Sequence, residues 1–79
     1  MLKLYQAEWC PYCACVRSKM TELGIEYVCM NVPRSKADRK ELMEVSGQTG
    51  IPTLVTEDGR IIADDDEKII AYLEKHHKA

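Results

Sequence analysis

Three of the four cysteines in this 79-residue chain fall within the stretch CPYCAC, residues 10–15; the fourth is Cys29. Thiols crowded in this way form a disulfide, bind a metal or react as thiolates. Cys10 and Cys13 stand at C-x-x-C spacing with Pro11 and Tyr12 between them. Pro11 suits the first turn of a helix, where a missing N–H costs nothing. That expectation puts Cys10 at the helix N-cap and Cys13 one turn inside. Backbone N–H groups and the dipole at a helix start stabilise a thiolate, and cysteines so placed ionise below the free value of about 8.5. A thiolate attacks a disulfide, and a second thiol three residues on can return to expel the partner from the mixed disulfide. C-x-x-C alone also serves as half a zinc site or as two small buried residues. Its place here, after a strand, opening a helix and before a second strand, points to redox chemistry.

Composition narrows the alternatives. An apolar share of 46 % with 30 % charged residues is too apolar for disorder and ordinary for a globular protein. A net charge of −2 without any Lys/Arg block argues against nucleic acid or an anionic membrane surface as partner. No apolar run approaches the roughly 20 residues that span a bilayer, and MLKLYQ is too short for the apolar region of a signal peptide. The expectation is one domain over residues 1–79, a monomer in the cytoplasm, where clustered cysteines are redox-active or metal-binding rather than structural.

The elements that must hold the thiols can be read from periodicity. Leu2 to Gln6 alternates as a strand. Val16, Met20 and Leu23 recur at helical spacing after Pro11, with Arg17 and Lys19 turned outward and Gly24 as the stop. IEYVCMNV is a second strand closed by Pro33. Ser35 is expected to cap a helix with Asp38 in its first turn, carrying Leu42, Met43 and Val45 and ending at SGQTG. PTLV and RIIA flank EDGR as a hairpin, with Gly59 taking the positive φ. Asp64, Asp65 and Asp66 favour the start of a last helix with the stripe Ile69, Ile70 and Leu73; Lys75, His76, His77 and Lys78 suit its end. The order β-α-β-α-β-β-α implies a four-stranded mixed sheet, a parallel pair extended by an antiparallel pair, flanked by three helices in a thioredoxin-like α/β fold.

Pro52 in TGIPT precedes a predicted strand. A cis bond there would turn the Ile51 backbone N–H and C=O outward, ready to bind a peptide-like thiol by strand addition. Sequence alone favours a trans bond starting an edge strand, since only about 5–6 % of X-Pro bonds are cis.

With these residues in place the chain resembles the glutaredoxins. WCPYC follows the first strand, GIPT precedes the third, and DD opens the last helix, in that family's order across nearly the whole chain. The resemblance implies a glutathione-dependent thiol–disulfide oxidoreductase with no tightly bound cofactor. It acts on disulfide-containing or glutathionylated proteins, with glutathione as reductant. It makes Cys10 the nucleophile and Cys13 the resolving thiol. Tyr12 then flanks the substrate, Ile51 supplies backbone contacts beside a cis Pro52, and Asp65 and Asp66 face the γ-glutamyl end. Ala7, Gln48 and the IIA before the last helix stand where the family often has Lys, Arg and Gly-Gly. Acidic Glu8 is expected to oppose the thiolate and an anionic substrate. The tail DGRIIADDDEKIIAYL is also similar to mycoredoxins and to the N-terminal domain of glutathione transferases. A redoxin using another low-molecular-weight thiol or a thioredoxin-type reductase is therefore the alternative.

Cys15 lies outside the motif and has two readings, a buried helix residue or a third redox thiol that pairs with Cys10. An offset of five residues lands about 140° round a regular helix, so the second needs an unwound first turn. Cys29 is read as a buried structural thiol on a face shared with Ile25 and Tyr27, and Trp9 as an apolar wall of the site. His76 and His77 are adjacent and make a poor chelating pair. Four thiolates from Cys10, Cys13, Cys15 and Cys29 would make an iron–sulfur or zinc module; the crowded trio lacks the two well-spaced pairs expected of one, so no metal is expected.

Overall fold

Strand β1 (Leu2–Gln6) is the axis of the molecule, flanked by a parallel neighbour on one side and an antiparallel one on the other. The computed structural model describes residues 1–77, so the expectation for Lys78 lies outside the described residues. After β1 come α1 (Pro11–Glu22), β2 (Tyr27–Asn31), a short 3-10 turn (Lys36–Asp38), α2 (Lys40–Ser46), β3 (Thr53–Val55), β4 (Ile61–Ala63) and α3 (Asp66–His76). The sheet order is β2-β1-β3-β4, with β3 and β4 forming the antiparallel hairpin. The expected four-stranded mixed sheet with three helices is what the chain forms.

Alternation along β1 divides its side chains between two faces. Leu2 and Leu4 meet Leu54 of β3, Val16 and Met20 of α1, and Ile69 and Leu73 of α3 in one core. Helices α1 and α3 therefore cover the same face of the sheet. Tyr5 points the other way and donates its hydroxyl to the Glu41 carboxylate of α2 at 2.7 Å. Gly24 (φ +67°) stops α1 and Gly59 (φ +87°) closes the hairpin, both with a backbone that side-chain-bearing residues rarely adopt.

Five local expectations are corrected. Ser35 makes no side-chain cap, and α2 starts only at Lys40. Arg39 leaves helical geometry (ψ 58°) while its buried side chain is drawn to backbone carbonyls, so the segment is a 3-10 turn and a short helix rather than one long one. Seven residues present little face to the sheet: Leu42 is buried, while Met43 and Val45 are exposed. Arg17 and Lys19 are not free in solvent; Arg17 reaches back to Gln6 and Lys19 bridges Glu22 and Glu74. Cys29 is exposed rather than buried, because β2 is an edge strand and no helix covers its side chain.

Leu4 is fully buried between both long helices and the central strands. Leu4→Ala should cost about 2–5 kcal/mol of unfolding free energy in urea titration, a large part of the stability of a domain this small.

Candidate active site

The end of β1 turns sharply into α1, and that turn builds the site. The Cys10 N–H donates to the Ala7 carbonyl at 3.2 Å, leaving Cys10 extended (φ −85°, ψ 117°) as the N-cap. Its Sγ accepts the Cys13 N–H at 3.4 Å, and its carbonyl takes the Ala14 N–H at 3.1 Å. A thiol thus fills the place of the usual Ser or Asp cap. Cys10 keeps 7 % of its surface exposed and Cys13 none, and the two pack with Ala7 and Ile51 in a small cluster of their own.

The two sulfurs are not equivalent. Burial, and after it the hydrogen bond to Cys10, push the Cys13 thiol up from 9.0 to about 12, against the opposing effect of an Ala7 backbone N–H and the Arg17 charge. Cys13 therefore keeps its proton and donates it toward Cys10, leaving Cys10 as the more accessible sulfur, with hydrogen bonds directed at it.

Facing the dithiol is the loop before β3. The Ile51–Pro52 bond is cis, as the family resemblance implied and against the trans bond favoured by sequence alone. Arg39 is 4 % exposed and binds three carbonyls: Nε to Pro33 at 2.8 Å, Nη1 to Thr49 at 2.9 Å and Nη2 to Arg34 at 3.1 Å. Gln48 completes the clamp, accepting the Gly50 N–H and donating to Ser46 and Thr53 hydroxyls. Sequence reasoning missed Arg39. Within RSKADRK it looks like a solvated charge, and its partners are carbonyls that any residue type carries.

Two clefts adjoin at Tyr12, Ile51 and Asp64, and Cys10 lines one of them. One, of about 280 Å³, is lined by Trp9, Cys10, Tyr12, Lys36, Ile51 and Asp64, among others. The other, of about 140 Å³, is lined by Tyr12, Ile51, Pro52, Asp64 and Asp66. The structure thus brings together Cys10, Tyr12, Ile51, Pro52 and Asp66. Asp65 is not in either lining; its Oδ1 caps α3 by accepting the Lys68 N–H at 3.0 Å. Asp64, singled out only as a helix-start residue, lines both clefts. Its φ of +52° turns its carboxylate over Gly50, where a methyl group would collide with it. Trp9 is about half exposed, with the Arg34 guanidinium 4.5 Å from its ring centroid, so it forms a wall of mixed cationic and aromatic character. A larger cavity of about 490 Å³, lined by Met1, Leu23, Glu57 and His77 among others, lies at the opposite end of β1 from the cysteines.

Cys15 is exposed on α1 rather than buried, because its position on the helix faces away from the core that takes Val16. Among the described residues no three of His, Cys, Asp and Glu come together in a metal-holding arrangement. His76 stacks on Tyr72 at 4.3 Å between ring centroids. Glu8 is partnered, by the Arg17 guanidinium at 3.5 Å and the Gln6 amide at 3.2 Å, so its charge is not left free beside Cys10.

A four-stranded thioredoxin-like sheet, with a dithiol capping its first helix and a cis-proline loop opposite, defines a redox protein of the thioredoxin superfamily. The Glutaredoxin family model matches residues 2–62, and the chain belongs to that family. It is 32 % identical over 62 residues to an uncharacterized glutaredoxin-like 8.6 kDa protein from the rubredoxin operon of Clostridium pasteurianum, covering 78 % of this chain and 81 % of that one. It is 26 % identical over 65 residues to glutaredoxin 3 of Escherichia coli K12, covering 82 % and 78 %. Among solved structures it resembles glutaredoxin 2 of Salmonella typhimurium in complex with glutathione (TM-score 0.81, 23 % identity, 94 % of this chain and 33 % of that one). It also resembles glutathione transferase E6 of Drosophila melanogaster (TM-score 0.82, 31 % identity, 98 % and 35 %). The chain spans about a third of the length of these two structures.

Two expectations follow. Replacing Arg39 by Met leaves three carbonyls without their charged donor and should cost about 3 kcal/mol; faster amide exchange across residues 49–53 would locate the damage. Under reducing conditions the unfolded chain releases the Cys13 proton from about pH 9 and the folded chain only near 12, so stability should fall with rising pH across that window. Tyr5, raised from 10.0 to about 12 by burial and by Glu41, adds to the upper part. Urea midpoints measured against pH should show the fall, and Cys13→Ala should flatten its lower part.

Proposed function

We propose that this protein is a glutathione-dependent thiol–disulfide oxidoreductase that reduces protein disulfides and glutathione mixed disulfides. The observation that carries the reading is that Cys10 lines a cleft with charges of both signs on its walls, which adjoins a second, acidic cleft at Tyr12, Ile51 and Asp64. On one side stand Lys36 and the Arg34–Trp9 pair; on the other stand Asp64, Asp66 and the start of α3. A tripeptide thiol with a carboxylate at its glycine end, and an ammonium group beside a second carboxylate at its γ-glutamyl end, can set the first toward Lys36 and the ammonium toward Asp66, with its sulfur between them. Glutathione bound in the solved glutaredoxin 2 structure of the same fold supports the assignment.

In this reading Cys10 attacks the substrate disulfide, Tyr12 flanks the bound thiol, and the Ile51 backbone beside Pro52 holds it by strand-like hydrogen bonds. Asp66 accepts the ammonium group, while Asp65 contributes through the helix start that it caps. Cys13 then expels the substrate thiol. The exposed thiol of Cys15 is a reserve that pairs with Cys10 only if the first turn of α1 unwinds.

Turnover of a glutathionylated peptide with glutathione as reductant tests the reading. Cys10→Ser should abolish activity. Cys13→Ser should retain it on this substrate, where external glutathione resolves the intermediate, and lose it on an intramolecular protein disulfide. Asp66→Asn should raise KM about threefold, as loss of an exposed ion pair does. Turnover with other small thiols and none with glutathione would remove glutathione from the assignment.

A further inference from the structure

Arg17 follows Cys13 by four residues, which places it on the same face of α1 one turn further in. Its guanidinium is held from three sides. Nη1 donates to the Gln6 side-chain oxygen and, at 3.4 Å, to the Ala7 carbonyl; Nε lies 3.5 Å from the Glu8 carboxylate. Gln6 is fully buried, and its amide reaches Glu8, the Cys29 sulfur at 3.2 Å and Asn31. No substrate group is needed to hold this cluster, and the Ala7 carbonyl at its centre also takes the Cys10 N–H.

We propose that Arg17 is a positioning residue for the second half of the reaction, held by Gln6, Ala7 and Glu8 so that its charge supports Cys13 once Cys10 is bound in a mixed disulfide. Glu8 sets how much of that charge reaches the sulfur. The proposal rests on the dithiol reading above and adds to it the group that times the resolving step.

The timing follows from what changes when Cys10 reacts. In the free dithiol, burial and Cys10 both keep Cys13 protonated. Once Cys10 Sγ is bonded to the substrate sulfur it carries no charge and no longer takes the Cys13 proton as a thiolate would. Burial remains, but so do the Ala7 N–H and Arg17, both of which favour the anion. Cys13 then loses its proton to solvent and its thiolate attacks Cys10 Sγ. The Cys10–Cys13 bond forms and the Cys10–substrate bond breaks. The leaving thiolate takes a proton from solvent, and the two electrons given up by the cysteines are those the substrate disulfide gains. The charged or titratable groups around this step are Cys10 at the cap, Arg17 on α1, Glu8 in the turn, and Tyr27 and Cys29 on β2 beyond them.

Bis(2-hydroxyethyl) disulfide, an uncharged substrate, separates this effect from substrate charge. Mixed with the reduced protein in stopped flow, it should give two phases in the fluorescence of Trp9, attack by Cys10 and then resolution by Cys13. Each pK unit of support lost cuts the Cys13 thiolate about tenfold. The more basic thiolate regains about threefold in nucleophilicity, so resolution should slow about threefold. The expected result for Arg17→Met is a second phase slowed about threefold relative to the first at pH 7, with its pH profile moved upward. Arg17→Lys should restore the ratio, and Glu8→Gln should move the profile downward. A second phase that keeps its ratio and pH profile in Arg17→Met overturns the proposal. So does equal slowing of both phases in the Met and Lys variants, which marks a role in folding alone. A wild type that forms no Cys10–Cys13 disulfide by peptide mapping removes the dithiol reading itself, and this proposal with it.

Discussion

The backbone of Ala7 is the hinge on which the site depends. It sits where the central strand ends and the first helix begins, and its carbonyl takes both the Cys10 N–H and a contact from Arg17. Its own N–H faces Cys13. The N–H and C=O of one residue thus orient the cap, the buried thiol and the nearest cation together. Ala7 directly follows β1, which is bonded to strands on both sides.

From that anchor the rest of the site is assembled by complementary means. The dithiol is positioned by helix capping, a local device. The loop opposite is positioned by the buried Arg39 guanidinium, which ties three carbonyls from two segments distant along the chain. A buried cation is tolerable only when its donors are satisfied, and backbone carbonyls supply that satisfaction without adding an opposing charge near the thiols. The remaining charges divide across the groove, with Arg34 and Lys36 on the Trp9 side and Asp64 and Asp66 on the other. The Cys10 sulfur lies in a small apolar cluster with Ala7, Cys13 and Ile51.

Acidic Glu8 shows why nearness in sequence is a poor guide to field. Two residues from Cys10, it reads as an opponent of the thiolate. In the folded chain it is engaged by Arg17 and Gln6, one from a later turn of α1 and one from β1. The Cys15 and Cys29 thiols make the same point in reverse. Both are residue types that are commonly buried, and both are exposed, one by its angle on α1 and one by lying on an edge strand.

What the sequence determined by itself was whatever depends on short-range periodicity and covalent geometry. Element order, the cap at Cys10, the stop at Gly24, the hairpin at Gly59 and the stripe Ile69–Leu73 all follow from a few adjacent residues. Local stereochemistry and one apolar face decide them. What only the tertiary structure decided were the pairings between distant segments and the exposure that results: the Arg39 clamp, the Gln6–Arg17–Glu8 cluster, the cis geometry at Pro52, and the split of the Asp64–Asp66 run into two groove-lining residues and one cap. Each depends on which backbone group or side chain arrives from elsewhere in the fold, and a hydrogen bond to a carbonyl leaves no mark on the identity of the residue that offers it.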